Sequence, residues 1–156
     1  MKVKELMTKK VITVKKNDSI ITCANLMREH ELGLLVVIND KREILGVITD
    51  RDIVIRLVTQ GDSLEKTVDE VMTHTSVVIN KDEDISHAIS KMGDYQLKRL
   101  PVNNDEEKLV GIVTLSDIAI CKYTNPSVSE VYYEISLPNP QKEKPLKYLG
   151  ADDFPL

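Results

Sequence analysis

The sequence predicts an α/β (α+β) fold made of two strand–helix–strand–strand–helix units, related by a pseudo-twofold axis and packed through their sheets. Three observations lead there. Gly-Ile-Val-Thr-Leu-Ser-Asp-Ile at 111–118 repeats Gly-Val-Ile-Thr-Asp-Arg-Asp-Ile at 46–53, 65 positions earlier. Residues 3–54 slide onto 68–119 at that offset without a gap, and 16 of the 52 aligned pairs are identical, where chance gives about 3. Each copy also runs through the same order of short β-branched stretches and helical-period stretches.

Val3-Lys4-Glu5-Leu6-Met7-Thr8 opens the first unit and Val68-Asp69-Glu70-Val71-Met72-Thr73 the second. The β-branched runs 11–14 and 76–79 read as first strands. Asn17-Asp18-Ser19 and Asp82-Glu83-Asp84 follow at the place of a helix N-cap. Ile20, Cys23, Ala24 and Met27, and likewise Ile85, Ala88, Ile89 and Met92, recur at i, i+3, i+4 and i+7, one apolar face of a helix. Leu34 to Ile38 forms an apolar second strand, with Leu100-Pro101-Val102 as its twin. Turns at Asn39-Asp40 and Asn103-Asn104-Asp105 lead into third strands, Ile44–Ile48 and Leu109–Val113. A last helix begins near Thr49 and near Thr114. Such a unit, three strands with helices on one side, leaves apolar surface open, so neither copy is stable alone. Packing the copies about a pseudo-twofold axis buries both surfaces, with residues 55–67 as the link.

Composition narrows the function classes. The chain has 156 residues and a net charge of −4, which gives no general attraction to nucleic acid or anionic lipid. No apolar run approaches the roughly 18–20 residues of a membrane span, and no signal-peptide core follows Met1, so the expected location is the cytoplasm. Cys23 and Cys121 both fall in apolar helical patterns and read as a reduced, buried pair. His30, His74 and His87 show no metal-ligand spacing and default to the surface. No nucleophilic triad or Gly-rich phosphate loop stands out, so the chain reads as non-enzymatic, with no required cofactor and no metal.

Thr49-Asp50-Arg51-Asp52 and Thr114-Leu115-Ser116-Asp117 share Thr-x-x-Asp at a helix start. One reading is a capping box, in which Thr and Asp satisfy each other's backbone N–H groups. The other uses the carboxylate as an acceptor for ribose hydroxyls. Lys98-Arg99 precedes the second strand of the second unit where the first has Gly33-Leu34. That pair is either a solvated strand end or a grip on phosphate.

The duplicated unit, its Met-Thr openings and its Gly-h-h-Thr-x-x-Asp closes (h an aliphatic residue) resemble a tandem pair of cystathionine-β-synthase (CBS) domains, a Bateman module, over about residues 3–121. The resemblance implies binding of an adenosine-containing ligand (AMP, ADP or ATP, less readily S-adenosylmethionine or NAD) in a cleft between units. It also implies a homodimer and, since no enzymatic domain accompanies the repeat, a separate regulated protein. Carried onto this sequence, it makes Asp117 the ribose contact with Thr114 and Ser116 as further ligand-binding residues, Lys98 and Arg99 the phosphate grip, and Ile12, Leu32 and Gly33 the adenine slot. A second, weaker cleft would use Asp52, Thr49 and Arg51, with Val77 and Leu97. Thr8 and Thr73 are near enough in pattern to reach phosphate, and capping explains them equally well. The rival reading is a structural dimerisation module with empty clefts.

The expected divisions are therefore residues 1–60 and 61–125 for the two units and 126–156 for a C-terminal extension. Five of the six aromatic residues (Tyr123, Tyr132, Tyr133, Tyr148, Phe154) fall in the last 34 residues, with five of the six prolines. Docking of Tyr132, Tyr133 and Phe154 on the module or on a partner chain is the expectation for that extension.

Overall fold

The computed structural model describes residues 1–74 and 77–121. The expectations about the aromatic extension lie outside the described residues. In chain order the elements are α1 (Val3–Leu6), β1 (Thr13–Val14), α2 (Ile20–His30), β2 (Leu34–Ile38), β3 (Ile44–Thr49) and α3 (Asp50–Arg56). A 3-10 turn (Val58–Gln60) leads to α4 (Val68–Val71), β4 (Thr73–His74), β5 (Ile79–Asn80), α5 (Ile85–Tyr95), β6 (Arg99–Asn103), β7 (Leu109–Thr114) and α6 (Leu115–Ile120).

The two long helices form where the apolar period puts them. Ser19 caps α2 by accepting from the Thr22 N–H, and Asp84 caps α5 by accepting from Ser86. Ile20, Cys23 and Met27 are buried on one helix, and Ile85, Ala88 and Met92 on the other. Both helices end in a left-handed residue, Glu31 and Gln96, each at φ 53°. These stop the helix and aim the chain back along the sheet.

In each unit the first strand is parallel to the second and the second antiparallel to the third. The first strands are shorter than the β-branched runs. Val11 and Ile12 leave the ladder and pack against the intersheet cluster and the first core.

The sheets differ from a simple pair of three-stranded units, because the openings are exchanged. The strand after α4 pairs with β3 (Gly46 opposite His74, Val47 opposite Thr73), making the first sheet four-stranded in the order β1-β2-β3-β4. Shifted by 65, the same pairing recurs as the bridge between Thr8 and Ile112. Val3, Leu6 and Met7 accordingly join the core of the second unit with Ile79, Met92, Leu100 and Ile118. Val68, Val71 and Met72 join that of the first with Ile20, Leu35, Ile48 and Leu57. Each core thus contains an opening from the other copy.

Between the sheets lies a third apolar cluster, Val36, Ile38 and Leu109, flanked by Val11, Leu34, Ile44 and Ile112. The Leu109 N–H donates to the Arg42 carbonyl across the junction (2.9 Å). Glu43 bridges Lys108, its own equivalent at the 65-residue offset, so the pseudo-twofold axis passes beside that pair. The units pack through their sheets, and their helix starts come to face the strands of the opposite copy.

Candidate functional site

Strand β7 runs straight into the helix start that carries Asp117. Thr114 donates from its N–H (2.9 Å) and its hydroxyl (2.7 Å) to Asp117 Oδ2, and the Asp117 N–H returns a bond to Thr114 Oγ1 (3.1 Å). This capping box is worth about 1 kcal/mol. It uses one carboxylate oxygen. Among the described residues no hydrogen bond reaches the other, Oδ1, and Asp117 lines a recess between the units. Capping and ligand binding thus draw on different oxygens, and the two readings of Thr-x-x-Asp are compatible.

The recess holds about 340 Å³ and is mostly apolar, with Val11, Ile12, Leu32, Leu34 and Val36 from the first unit and Ile112 from the second. That is the size of a small-molecule pocket. A second recess of about 520 Å³, lined by Gly33, Lys98 and Ser116, shares Leu32, Arg99 and Thr114 with it. All eight residues assigned to the stronger cleft, Asp117, Thr114, Ser116, Lys98, Arg99, Ile12, Leu32 and Gly33, therefore line one or the other of these adjoining recesses, together the hollow. The Leu115 N–H donates to the Lys98 carbonyl (2.8 Å), holding the basic pair against the start of α6. Among the described residues neither Lys98 nor Arg99 takes part in an ion pair, although one pair or another engages Lys4, Lys15, Arg56, Lys66, Lys81, Lys91 and Lys108. Two uncommitted cations beside an apolar slot with an open carboxylate oxygen can take a ligand that is apolar at one end, hydroxylated in the middle and anionic at the other.

Three polar residues beyond those eight also line the first recess. Thr8 stands there, as its pattern allowed. Lys10 and His30 stand there too; the sequence did not single out Lys10, and it placed His30 only at the surface, where it is exposed. The available signal for Lys10 was its place between Thr8 and Ile12. His30 had only its position at the end of α2.

The second copy is built differently. Thr49, Arg51 and Asp52 come together at the start of α3, where the capping box repeats: the Thr49 N–H (3.0 Å) and hydroxyl (2.7 Å) donate to Asp52 Oδ2. Here, however, Oδ1 is taken. Arg56 Nη2 lies 3.3 Å from Asp52 Oδ1 and 3.1 Å from Thr73 Oγ1. Nη1 of the same guanidinium donates to the Val71 and Met72 carbonyls, both at 2.8 Å. Arg51 is exposed. Val77 and Leu97 are half-buried against the second core.

Among the described residues no group of three or more His, Cys, Asp or Glu side chains is placed to hold a metal ion, and no helix is long and apolar enough to cross a membrane. Cys23 and Cys121 are not disulfide-bonded. Burial pushes the Cys23 thiol up to about 11, which keeps it protonated and unreactive.

Comparison with known proteins matches this architecture. The family model for the CBS domain fits residues 3–59 and again 68–121. The CBS domain-containing protein YhcV of Bacillus subtilis is 36% identical over 137 residues, covering 88% of this chain and 96% of YhcV. The uncharacterized protein MK0525 of Methanopyrus kandleri is 36% identical over 115 residues, 73% of this chain, which spans 59% of that relative's length. Among solved structures, the CBS domain pair of protein MJ0100 in complex with 5′-methylthioadenosine and S-adenosyl-L-methionine is 32% identical. It superposes with a TM-score of 0.68 over 76% of this chain and 93% of that one. The chain belongs to the CBS-domain family and carries two CBS domains in tandem.

Proposed function

We propose that the chain is a non-catalytic regulatory module that takes up an adenosine-containing ligand of the AMP, ADP or ATP class in the hollow between its two units. The observation that carries this reading is Asp117 Oδ1, which takes no hydrogen bond among the described residues, set between an apolar slot and Lys98 and Arg99, which form no ion pair among them. The carboxylate accepts from ribose hydroxyls, the aliphatic walls take the adenine ring, and Arg99 forks two bonds onto a phosphate with Lys98 beside it. The adenosine ligands on the 32%-identical MJ0100 pair support the ligand class. The basic pair favours a phosphorylated ligand over S-adenosylmethionine. Binding shifts a conformational equilibrium by as much as the ligand prefers one arrangement, and the regulated target is a separate protein. Val54, Ile55 and Val58 are exposed on α3 and the turn after it. They favour a homodimer, and they are the observation behind the rival reading of a dimerisation module with empty clefts.

The test is thermal melting of nucleotide-stripped protein against AMP, ADP, ATP, NAD and S-adenosylmethionine. At a hundred times Kd one ligand stabilises by about 2.7 kcal/mol, which for this chain length raises Tm by roughly 5–10 °C. Asp117→Ala and the Lys98→Ala/Arg99→Ala double variant lose that rise while remaining folded. A flat panel with no nucleotide released from denatured protein would transfer the conclusion to the dimerisation module.

A further inference from the structure

We propose that the duplicated site has been divided between two jobs: the Asp52 copy is a permanent intramolecular clamp closed by Arg56, and only the Asp117 copy is open, so each chain binds one ligand. The stoichiometric half rests on the nucleotide reading above. The clamp half does not.

The Thr and Asp of the two boxes behave alike until the second carboxylate oxygen. In both, Oδ2 is consumed by the Thr-x-x-Asp box. In the first unit Oδ1 meets a guanidinium at 3.3 Å. The position equivalent to Arg56, shifted by 65, is Cys121, which has no cation to offer. An ion pair with a guanidinium holds a carboxylate oxygen more strongly than a neutral hydroxyl does, so a ribose would have to displace Arg56 to use Asp52 Oδ1. Displacement would break more than one contact. The same guanidinium caps the carbonyls of Val71 and Met72 at the end of α4 and bonds Thr73, the counterpart of Thr8. Those carbonyls end a helix and have no partner within it. Arg56 therefore ties the second unit's opening onto the first unit's sheet, with Asp52 as its anchor. The first unit also has Gly33-Leu34 where the open copy has Lys98-Arg99, so a displaced Arg56 would leave a site without a phosphate grip. Carboxylate and cations have been withdrawn from the same copy.

Two measurements separate the halves. Equilibrium dialysis with AMP and with ATP is expected to give one nucleotide per wild-type chain, none for Asp117→Ala, and still one for Arg56→Lys and Arg56→Ala with Kd within about threefold of wild type. Two nucleotides per wild-type chain would overturn the division. Melting without ligand tests the clamp: Asp52→Ala and Arg56→Ala each lower Tm by about 3–8 °C, and the double variant falls no further than the worse single one. Arg56→Lys, which keeps a charge but loses the fork, loses part of that amount and serves where Arg56→Ala fails to fold. Additive losses, or no loss, would overturn the clamp. Absence of all nucleotide binding by wild type would refute the nucleotide reading and with it the single open site, and the clamp would then stand or fall on the melting cycle alone.

Discussion

Gly46 and Gly111 occupy equivalent places in β3 and β7, and alanine at the two should have unequal effects. A Cβ on Gly46 would stand 2.2 Å from the Thr73 carbonyl oxygen, 2.5 Å from Met72 Cε and 3.2 Å from His74 Cα. Two of those atoms are backbone, and they belong to the strand paired with β3 at Gly46–His74 and Val47–Thr73. Relief requires β4 to retreat. That breaks about two ladder hydrogen bonds worth about 1 kcal/mol each and displaces a buried Met72, an overpacking penalty of about 1–3 kcal/mol. The sum is about 3–5 kcal/mol. On Gly111 the Cβ would meet Met7 Sδ at 2.5 Å, Met7 Cγ at 2.9 Å and the Thr8 carbonyl oxygen at 3.1 Å. A half-buried thioether can swing aside and the carbonyl need give only a few tenths of an ångström, so the effect is about 1–2 kcal/mol. Urea denaturation followed by circular dichroism measures both, through a shift in midpoint at unchanged slope. If Gly111→Ala is as damaging as Gly46→Ala, the asymmetry reasoned from these contacts is wrong. If both are silent, the exchanged openings are not docked as described.

Other expectations follow from single groups. The Asp84 carboxyl is held down from 3.8 to about 2, first by the Ser86 backbone N–H and then by its side chain. A depressed carboxyl contributes stability that is complete above its unfolded value and lost as pH falls through the folded one. An acid titration should therefore show loss between about pH 4 and pH 2, and Asp84→Ala should make that limb shallower. The Cys23 thiol, at 0% exposure and pushed up to about 11, should resist alkylation at pH 8 until the protein is unfolded. Rapid labelling in the native state would show that its burial is transient. Glu107 sits in a tight turn at φ 59°, a conformation that side chains disfavour by about 1–2 kcal/mol. Glu107→Gly should thus leave Tm unchanged or raise it by a few degrees.

Legibility followed periodicity. Ile20, Cys23 and Met27, and their partners 65 residues on, announced two helices because burial on one face demands that spacing. Thr49 and Thr114 marked two helix starts, because the capping box is a local device complete within four residues. The exchange of openings was not legible. Val3-Lys4-Glu5-Leu6-Met7 presents the same apolar stripe whether it packs on its own unit or on the other, and two copies with the same aliphatic pattern make both choices chemically similar. The candidate hollow was legible where chemistry stood out against the repeat, as at Lys98-Arg99 facing Gly33-Leu34. Arg56 was readable in principle, since it too breaks the repeat against Cys121. It lies in an exposed helical stretch, where a cation is the ordinary solvated residue, and only its reach to Val71, Met72 and Asp52 distinguishes it. His30 was placed at the surface, and nothing in its spacing tied it to the hollow.

The exchanged openings also set an order of events for the chain as it is made. Synthesis runs from the amino end at about 5–20 residues per second. Segment 1–8 is made before its docking surface, which is supplied by residues 79–118. Val3, Leu6 and Met7 therefore wait, uncovered, for most of the repeat to appear, while the first unit cannot close its own core until Val68, Val71 and Met72 have been added. The first unit's interior is unfinished when its own last residue is joined, whereas the piece the second unit borrows has by then already been made. The first core can close once residue 72 is joined and the second only after residue 118, and the hollow walled by Thr8, Lys10 and Ile12 on one side and Arg99 and Asp117 on the other comes into being only with the second.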